Sequence, residues 1–245
     1  MAKTVLITGG SRGIGRATAV LFASKGWNVA LSFVGNQDSA AETCAMCERT
    51  GLTGNAMARK CDVRDEGDVI ALFAAARERF GGIEGVVNNA GIVAPQSTLA
   101  DMDIERMKDV FDTNVLGAYL VAREAARTLH SGTAIVNVSS VAAKLGSPDE
   151  YIDYAGSKGA MDTLTVGLAK ELGPKGIRVN AVRPGIIETA IHANNGRPER
   201  ITELGPMCPL GRTGAPEEVA KSIFWLISSD ASYVTGSILD VSGGR

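Results

Sequence analysis

Short apolar runs alternate with longer stretches of helical periodicity along nearly the whole chain. The runs Thr4–Thr8, Asn28–Phe33, Ala56–Asp62, Gly85–Asn88, Thr133–Ser139, Arg178–Arg183 and Ser237–Val241 read as strands. Between them, amphipathic or alanine-rich segments near 14–25, 38–50, 66–80, 103–130, 154–172 and 216–229 read as helices. Strand and helix in regular alternation predict βαβ units and one parallel, doubly wound seven-stranded α/β sheet. Right-handed crossovers then place helices on both faces. Gly81-Gly82, Pro174 and Pro184-Gly185 punctuate turns without forming a linker, so residues 1–245 read as a single domain. The stretch 190–210 breaks the pattern: it is polar and irregular, with Asn194-Asn195-Gly196 and Pro198, and reads as a substrate lid.

Composition agrees with that architecture. Hydrophobic residues make up 45% of the chain but aromatics only 5%, so the core rests on Val, Ile, Leu and Ala, as in buried parallel strands covered by small-residue helices. The formal net charge is -2 and the basic residues are scattered, which argues against a nucleic-acid surface. No signal-peptide plan precedes Thr4-Val5-Leu6-Ile7, and no apolar stretch approaches the ~18 residues of a membrane span. A cytoplasmic, membrane-free protein is expected. Cys44 and Cys47 form a CxxC, but Ala40, Cys44 and Cys47 share one helical face, as core positions do. With no second CxxC and no nearby histidine, buried thiols are expected and no metal site.

The first candidate for chemistry is the turn Thr8-Gly9-Gly10-Ser11-Arg12-Gly13-Ile14-Gly15, between the first strand and the first helix. Glycines at 9, 13 and 15 permit a tight turn and close approach to a pyrophosphate. The helix N-terminus beyond them attracts that anion. An NAD site usually carries an acid at the end of the second strand, where this chain has Leu31-Ser32-Phe33-Val34. Arg12 could instead meet a 2′-phosphate. NADP is therefore the preferred cofactor, with NAD possible.

The second candidate is Tyr154-Ala155-Gly156-Ser157-Lys158, whose i, i+4 spacing stacks a phenol and an ammonium on one helical face. Lowering a tyrosine pKa by about three units takes roughly 4 kcal/mol. One ammonium at about 4 Å supplies about that much at an effective dielectric near 20. The pair suits proton transfer to or from a substrate oxygen. The strand ending Asn137-Val138-Ser139-Ser140 arrives just before it, and Asn88-Asn89-Ala90-Gly91 ends another strand on the same edge, where α/β sheets bind ligands.

Together these residues resemble the short-chain dehydrogenase/reductase family, with its single-domain Rossmann fold, over essentially the whole chain. TGxxxGxG is met by Thr8–Gly15, the Asp-Val pair beside the adenine by Asp62-Val63, and NNAG by Asn88–Gly91. The family's helix-bending asparagine corresponds to Asn114, its serine to Ser140, YxxxK to Tyr154 and Lys158, and PGxxxT to Pro184–Thr189. The ending Thr235–Gly244 resembles the family's last strand and tail. The resemblance implies an oxidoreductase acting on CH–OH groups with NADP or NAD as acceptor, and the catalytic set Asn114, Ser140, Tyr154 and Lys158. Tyr154 would exchange the substrate proton, and Ser140 would hydrogen-bond the carbonyl oxygen. Lys158 would hold the nicotinamide ribose and lower the tyrosine pKa, and Asn114 would position a water that relays protons to Lys158. Cofactor contacts would come from Gly9, Ser11, Arg12, Gly13, Ile14, Gly15, Asp62, Val63, Asn89, Ala90, Gly91, Tyr154, Lys158, Pro184, Gly185, Ile187 and Thr189. A homotetramer is implied, with the 103–130 and 154–172 helices and the C-terminal segment at its interfaces.

The Ser140–Tyr154 spacing is one residue longer than the family's commonest, so either Ser139 or Ser140 could face the substrate, with Asp149, Glu150 and Tyr151 near the pocket mouth. The pattern resembles both 3-oxoacyl-carrier-protein reductases and glucose 1-dehydrogenase-like members. An acidic carrier protein would want a basic surface, which Arg123, Arg127 and Lys170 could supply. The acidic mouth and the polar 190–210 stretch favour a small hydroxylated substrate. The competing class is a non-catalytic dinucleotide-binding sensor, which would be free to lose Tyr, Lys or Ser; this chain retains all three. The two histidines, His130 and His192, lack partners at metal-ligand spacing.

Overall fold

The computed structural model describes residues 2–51, 55–189 and 200–245. Seven parallel strands form one sheet in the order 3-2-1-4-5-6-7: β1 (Thr4–Ile7), β2 (Asn28–Phe33), β3 (Ala56–Lys60), β4 (Gly85–Asn88), β5 (Ala134–Val138), β6 (Arg178–Pro184) and β7 (Ile238–Val241). The order reverses at β1, which pairs with β2 on one side and β4 on the other, bringing Ile7 opposite both Leu31 and Val87. Such a reversal opens a crevice beyond the carboxyl ends of the strands.

Alternate strand residues feed two cores, because side chains leave a strand on opposite faces. Val5, Ile7, Val29, Leu31 and Val136 pack under α1 (Gly13–Ser24), α2 (Gln37–Glu48) and α9 (Pro216–Ile227). Phe22 lies edge-on to both Trp27 and Phe224 there, with ring centroids 5.0 Å apart in each case. Leu6, Ala30, Val86 and Ile135 face α3 (Glu66–Phe80), α5 (Ala118–Thr128) and α7 (Ile152–Leu172). Local chemistry sets the helix ends: the Asp65 side chain caps α3 by accepting from the Asp68 N–H, and Gly81 closes it at φ 87°.

The segment that periodicity reads as one helix over 103–130 is broken around Asn114, where the family resemblance implies a bend. It runs as α4 (Ile104–Phe111), a wide π-turn over Asp112–Gly117, and then α5. Two tertiary contacts account for the break. The Asn114 side chain is engaged by the backbone of Ile92, and Gly117 lies so close to Val63 that a Cβ there would sit 2.6 Å from Val63 Cγ2. A short helix, α6 (Ala142–Leu145), was not anticipated, and α7 begins at Ile152 rather than at Tyr154. Within the expected lid, 190–199 lie outside the described residues. Beyond them come α8 (Arg200–Leu204) and a tight turn at Gly205–Met207. No described helix is long and apolar enough to cross a membrane.

Candidate active site

The glycine turn leaves β1 and is tied at once to the end of β4. The Thr8 hydroxyl accepts from the N–H groups of Asn89 (2.9 Å) and Ala90 (3.0 Å), and Asn89 Nδ2 donates back to the carbonyls of Thr8 (2.8 Å) and Gly9 (3.1 Å). A Cβ on Gly15 would collide with the Gly9 carbonyl, and Gly13 takes φ +53°, so both positions require glycine. Helix α1 then opens with no side-chain cap and no acid in its first turn. N–H groups at a helix start lack intrahelical partners and carry partial positive charge. This donor set fits the diphosphate of a dinucleotide. Arg12 stands exposed beside it, and among the described residues its guanidinium has no ion pair or hydrogen bond. The Asp62 carboxylate is held by Arg64 Nε and Nη2 at 2.7–3.1 Å, which keeps it below the usual carboxylate range. Val63 is buried against Gly117.

The catalytic candidates meet on the same edge of the sheet. Lys158, buried in α7, donates from Nζ to the Val138 carbonyl at 2.8 Å, and its ammonium lies 5.6 Å from the centre of the Tyr154 ring. Asn114 Nδ2 donates to the Ile92 carbonyl (2.8 Å) and to Ser157 Oγ (3.0 Å), while Oδ1 accepts from the Ile92 N–H (2.8 Å). Ser157 in turn donates to the Tyr154 carbonyl (2.7 Å). A Cβ on Gly91 would fall 3.2 Å from Asn114 Oδ1 and 3.4 Å from Lys158 Nζ, so NNAG, the π-turn and YxxxK converge. The strand-end serines divide their tasks. Ser139 is buried, and its hydroxyl donates to the Lys158 carbonyl at 3.1 Å. Ser140 is half-buried and hydrogen-bonds the Tyr154 phenol, so Ser140 is the serine at Tyr154. The PGxxxT strap leaves β6, pairs at Ile187 with Gly214 and brings the Thr189 methyl within 3.3 Å of where a Cβ on Gly13 would lie. Both ends of a dinucleotide site thus come together.

The electrostatics differ from the expectation. Burial pushes the Tyr154 phenol above its ordinary range, and the Ser140 hydrogen bond opposes this. Lys158 is itself pushed down to about 8 by burial, against the pull of Asp162. Desolvation therefore dominates the phenol, and the Ser140 hydrogen bond offsets it only in part.

A further ion pair escaped the sequence reading. Arg106 of α4 grips the nearly inaccessible Asp153 carboxylate (Nε to Oδ2, 2.9 Å), and Asp153 Oδ1 accepts the Tyr154 N–H at 2.8 Å. Arg106 also donates to the Pro95 carbonyl, fastening the loop after NNAG to the start of α7. No local spacing announces a pair 47 residues apart. Cys47 and Cys61 are buried, as expected of core thiols, and pushed up to about 12; Cys44 is only half-buried at the edge of the core and is raised by partial burial. Among the described residues no cluster could hold a metal ion.

Comparison with known proteins agrees with this geometry. Residues 9–245 match the sequence model of the family described as enoyl-(acyl carrier protein) reductase, a span that holds the site from Gly9 onward. The chain belongs to the short-chain dehydrogenase/reductase family. Its relatives in that family include an uncharacterized oxidoreductase, YgfF, of Escherichia coli, 48% identical with 98% of each chain covered. A 3beta-hydroxysteroid dehydrogenase 1 of Eggerthella lenta is 40% identical over 99% of this chain and 93% of its own. A glucose 1-dehydrogenase 2 of Bacillus subtilis is 35% identical over 99% and 94%. The short-chain dehydrogenase/reductase fold extends to the crystal structure of levodione reductase, with a TM-score of 0.93 and 33% identity, covering 99% of this chain and 96% of that one.

Proposed function

We propose that this oxidoreductase interconverts a carbonyl and a secondary alcohol on a small hydroxylated molecule, using NADP in preference to NAD. The observation that carries the reading is the meeting of Tyr154, Ser140 and Lys158 beside the glycine turn. A bound nicotinamide supplies or accepts the hydride. In the reductive direction Tyr154 is protonated at neutral pH, its phenol held above its ordinary range, and gives that proton to the carbonyl oxygen. Ser140 steadies the same oxygen by hydrogen bonding. Lys158, fixed at the Val138 carbonyl, holds the nicotinamide ribose, and Asn114 braces the Ile92 backbone beside it. The glycine turn, Asp62-Val63, Asn89–Gly91 and Pro184–Thr189 line the rest of the cofactor's path.

A carrier-protein substrate is disfavoured by charge. Arg123 is paired with Glu66, and Arg127 lies near Glu66 and Glu124, which leaves Lys170 as the one of the three expected basic residues that is exposed and without an ion pair among the described residues. Asp149 and Glu150, expected near the mouth from their place before Tyr154, add acidic charge, although Glu150 Oε1 accepts from Gln96 Nε2 at 2.9 Å. Two relatives are a hydroxysteroid and a glucose dehydrogenase, which makes ring-borne secondary alcohols the first class to test. The working unit is read as one cytoplasmic domain, covered over 190–210 and assembled as a homotetramer.

The test is absorbance at 340 nm with NADPH and NADH in parallel, across cyclic ketones, aldoses, hydroxysteroids and β-ketoacyl thioesters. Turnover of a small cyclic compound is expected, faster with NADPH. Turnover of carrier-bound thioesters alone would overturn the substrate class, and equal use of both cofactors would overturn the NADP preference.

A further inference from the structure

The carbonyl of Ser11, the residue just before Arg12, is held by several side-chain donors. Arg16 donates from Nε at 3.1 Å and from Nη2 at 2.8 Å, Ser39 Oγ at 2.9 Å and Thr43 Oγ1 at 3.2 Å. These donors come from two elements, since Arg16 lies in α1 and Ser39 and Thr43 in α2. They are also tied to one another. Arg16 Nη2 donates to Ser39 Oγ (2.9 Å) and to the Ser39 carbonyl (3.2 Å), and the single Thr43 hydroxyl hydrogen is shared between the Ser11 carbonyl and the nearer Ser39 carbonyl (3.0 Å). Glu42 neutralises the Arg16 guanidinium at 2.8 Å. Thr43 is fully buried, so the cluster is part of the packed α1–α2 contact.

A single peptide carbonyl has two lone pairs, so these donors share them and saturate the Ser11 oxygen. Concentrating this many donors on one turn carbonyl fixes the Ser11–Arg12 peptide plane, because the amide group is rigid. Arg12 follows in an extended conformation at φ -157°, ψ 170°, with its side chain free. The same cluster ties that plane to α2, whose first turn follows directly after β2. The end of β2 is where a dinucleotide fold reads the adenosine ribose. Arg16 is neutralised by Glu42, so Arg12 is the unpaired cation of the turn.

We propose that Arg16, Ser39 and Thr43 are positioning residues for cofactor choice. By clamping the Ser11 carbonyl to α2, they hold Arg12 where it meets a 2′-phosphate. This rests on the NADP reading above. None of the three touches the phosphate in this account; they act through Arg12 by preorganisation, which raises affinity by reducing the ordering cost of binding. An effect of this kind appears in the ratio of the two cofactor affinities. A purely structural contribution would lower both together.

The test is direct binding of NADPH and NADH, followed by the fluorescence of the reduced nicotinamide, and it needs no substrate. The proteins are the wild type, Arg12→Ala, Arg16→Lys and the double variant Ser39→Ala/Thr43→Val. Arg16→Lys keeps the charge and loses the fork that reaches Ser11 and Ser39 together. The double variant removes two hydroxyl donors and leaves Arg16 in place, so a failure of one variant to fold leaves the other decisive. For both, the expected result is NADPH affinity weakened about threefold to tenfold with NADH affinity unchanged, a preorganisation loss of about 1 kcal/mol. An unchanged NADPH-to-NADH ratio in the folded clamp variants, whether both affinities fall or neither does, overturns the proposal. Arg12→Ala separates the two levels. If it collapses the ratio while the clamp variants do not, only the clamp falls. If it too leaves the ratio unchanged, the 2′-phosphate reading falls with it.

Discussion

At the scale of single residues, the site depends on burial as much as on charge. Tyr154 is the proton carrier in the proposed reaction, and its ring packs edge-on against Tyr151, with centroids 5.7 Å apart. Tyr154→Phe keeps that packing and removes the hydroxyl. Turnover of whichever substrate the panel identifies is expected to fall by at least about a thousandfold, within the range of general acid–base contributions. NADPH affinity should change little; a variant retaining a tenth of wild-type activity would remove Tyr154 from its role. Lys158 yields a second expectation, about stability. Its folded pKa is about 8 against 10.5 when unperturbed, so between these values the unfolded chain holds a proton that the folded chain has released. Stability relative to a Lys158→Met variant should therefore rise with pH from about 8 upward. Below that window the folded protein bears the full cost of the buried ammonium, about 3 kcal/mol. Urea denaturation of both proteins at about pH 7.5 and 9.5 measures the difference. The raised thiols are common to both and cancel. A gap that stays constant with pH would show that the ammonium is not desolvated.

At the scale of elements, two junctions carry more than their sequences announce. The π-turn between α4 and α5 turns Asn114 toward Ile92 and Ser157, which a straight helix over 103–130 would not do. The other junction is the end of α9, whose last carbonyls are collected by one cation from β6. Arg178 donates to the carbonyls of Leu226 (2.6 Å), Ile227 (3.0 Å) and Ser228 (3.0 Å). A positive charge at a helix C-terminus also complements the helix dipole. Arg178→Met preserves the aliphatic stem and leaves those carbonyls without their partner. A loss of about 2–4 kcal/mol in unfolding free energy is expected, measured by urea titration, with cofactor affinity unchanged because the end of α9 lies against Gly85 at the start of β4, the opposite edge of the sheet from the glycine turn. A loss under about 0.5 kcal/mol would mean that water serves those carbonyls equally well.

At the scale of the whole molecule, apolar side chains remain uncovered along one side of the helical layer. Phe111, Leu116 and Tyr119 on the α4–α5 side are exposed, as is Val166 on α7. The homotetramer expected from the family resemblance would cover them, and light scattering after gel filtration would show it. Leu116→Glu should split that assembly into smaller species while leaving the monomer fold intact by circular dichroism. A wild-type chain that elutes as a monomer would refute the assembly.

The sequence by itself determined the order of the elements and the parallel doubly wound sheet, because side-chain periodicity is a local property of each segment. It also determined which residue types stand at the ends of β1, β4, β5 and β6, where this fold collects its site. Near neighbours such as Tyr154 and Lys158, one helical turn apart, were legible for the same reason. Tertiary structure alone decided the rest. It turned Ser139 into the α7 backbone and Ser140 toward the tyrosine, and joined Arg106 to Asp153 across 47 residues. It also reversed the expected shift of the tyrosine pKa, since spacing places the lysine on the right face but says nothing about how deeply the phenol is removed from water. The physical reason is common to all of these. They depend on contacts between segments distant in the chain and on desolvation, and neither exists until the sheet and its helices have packed.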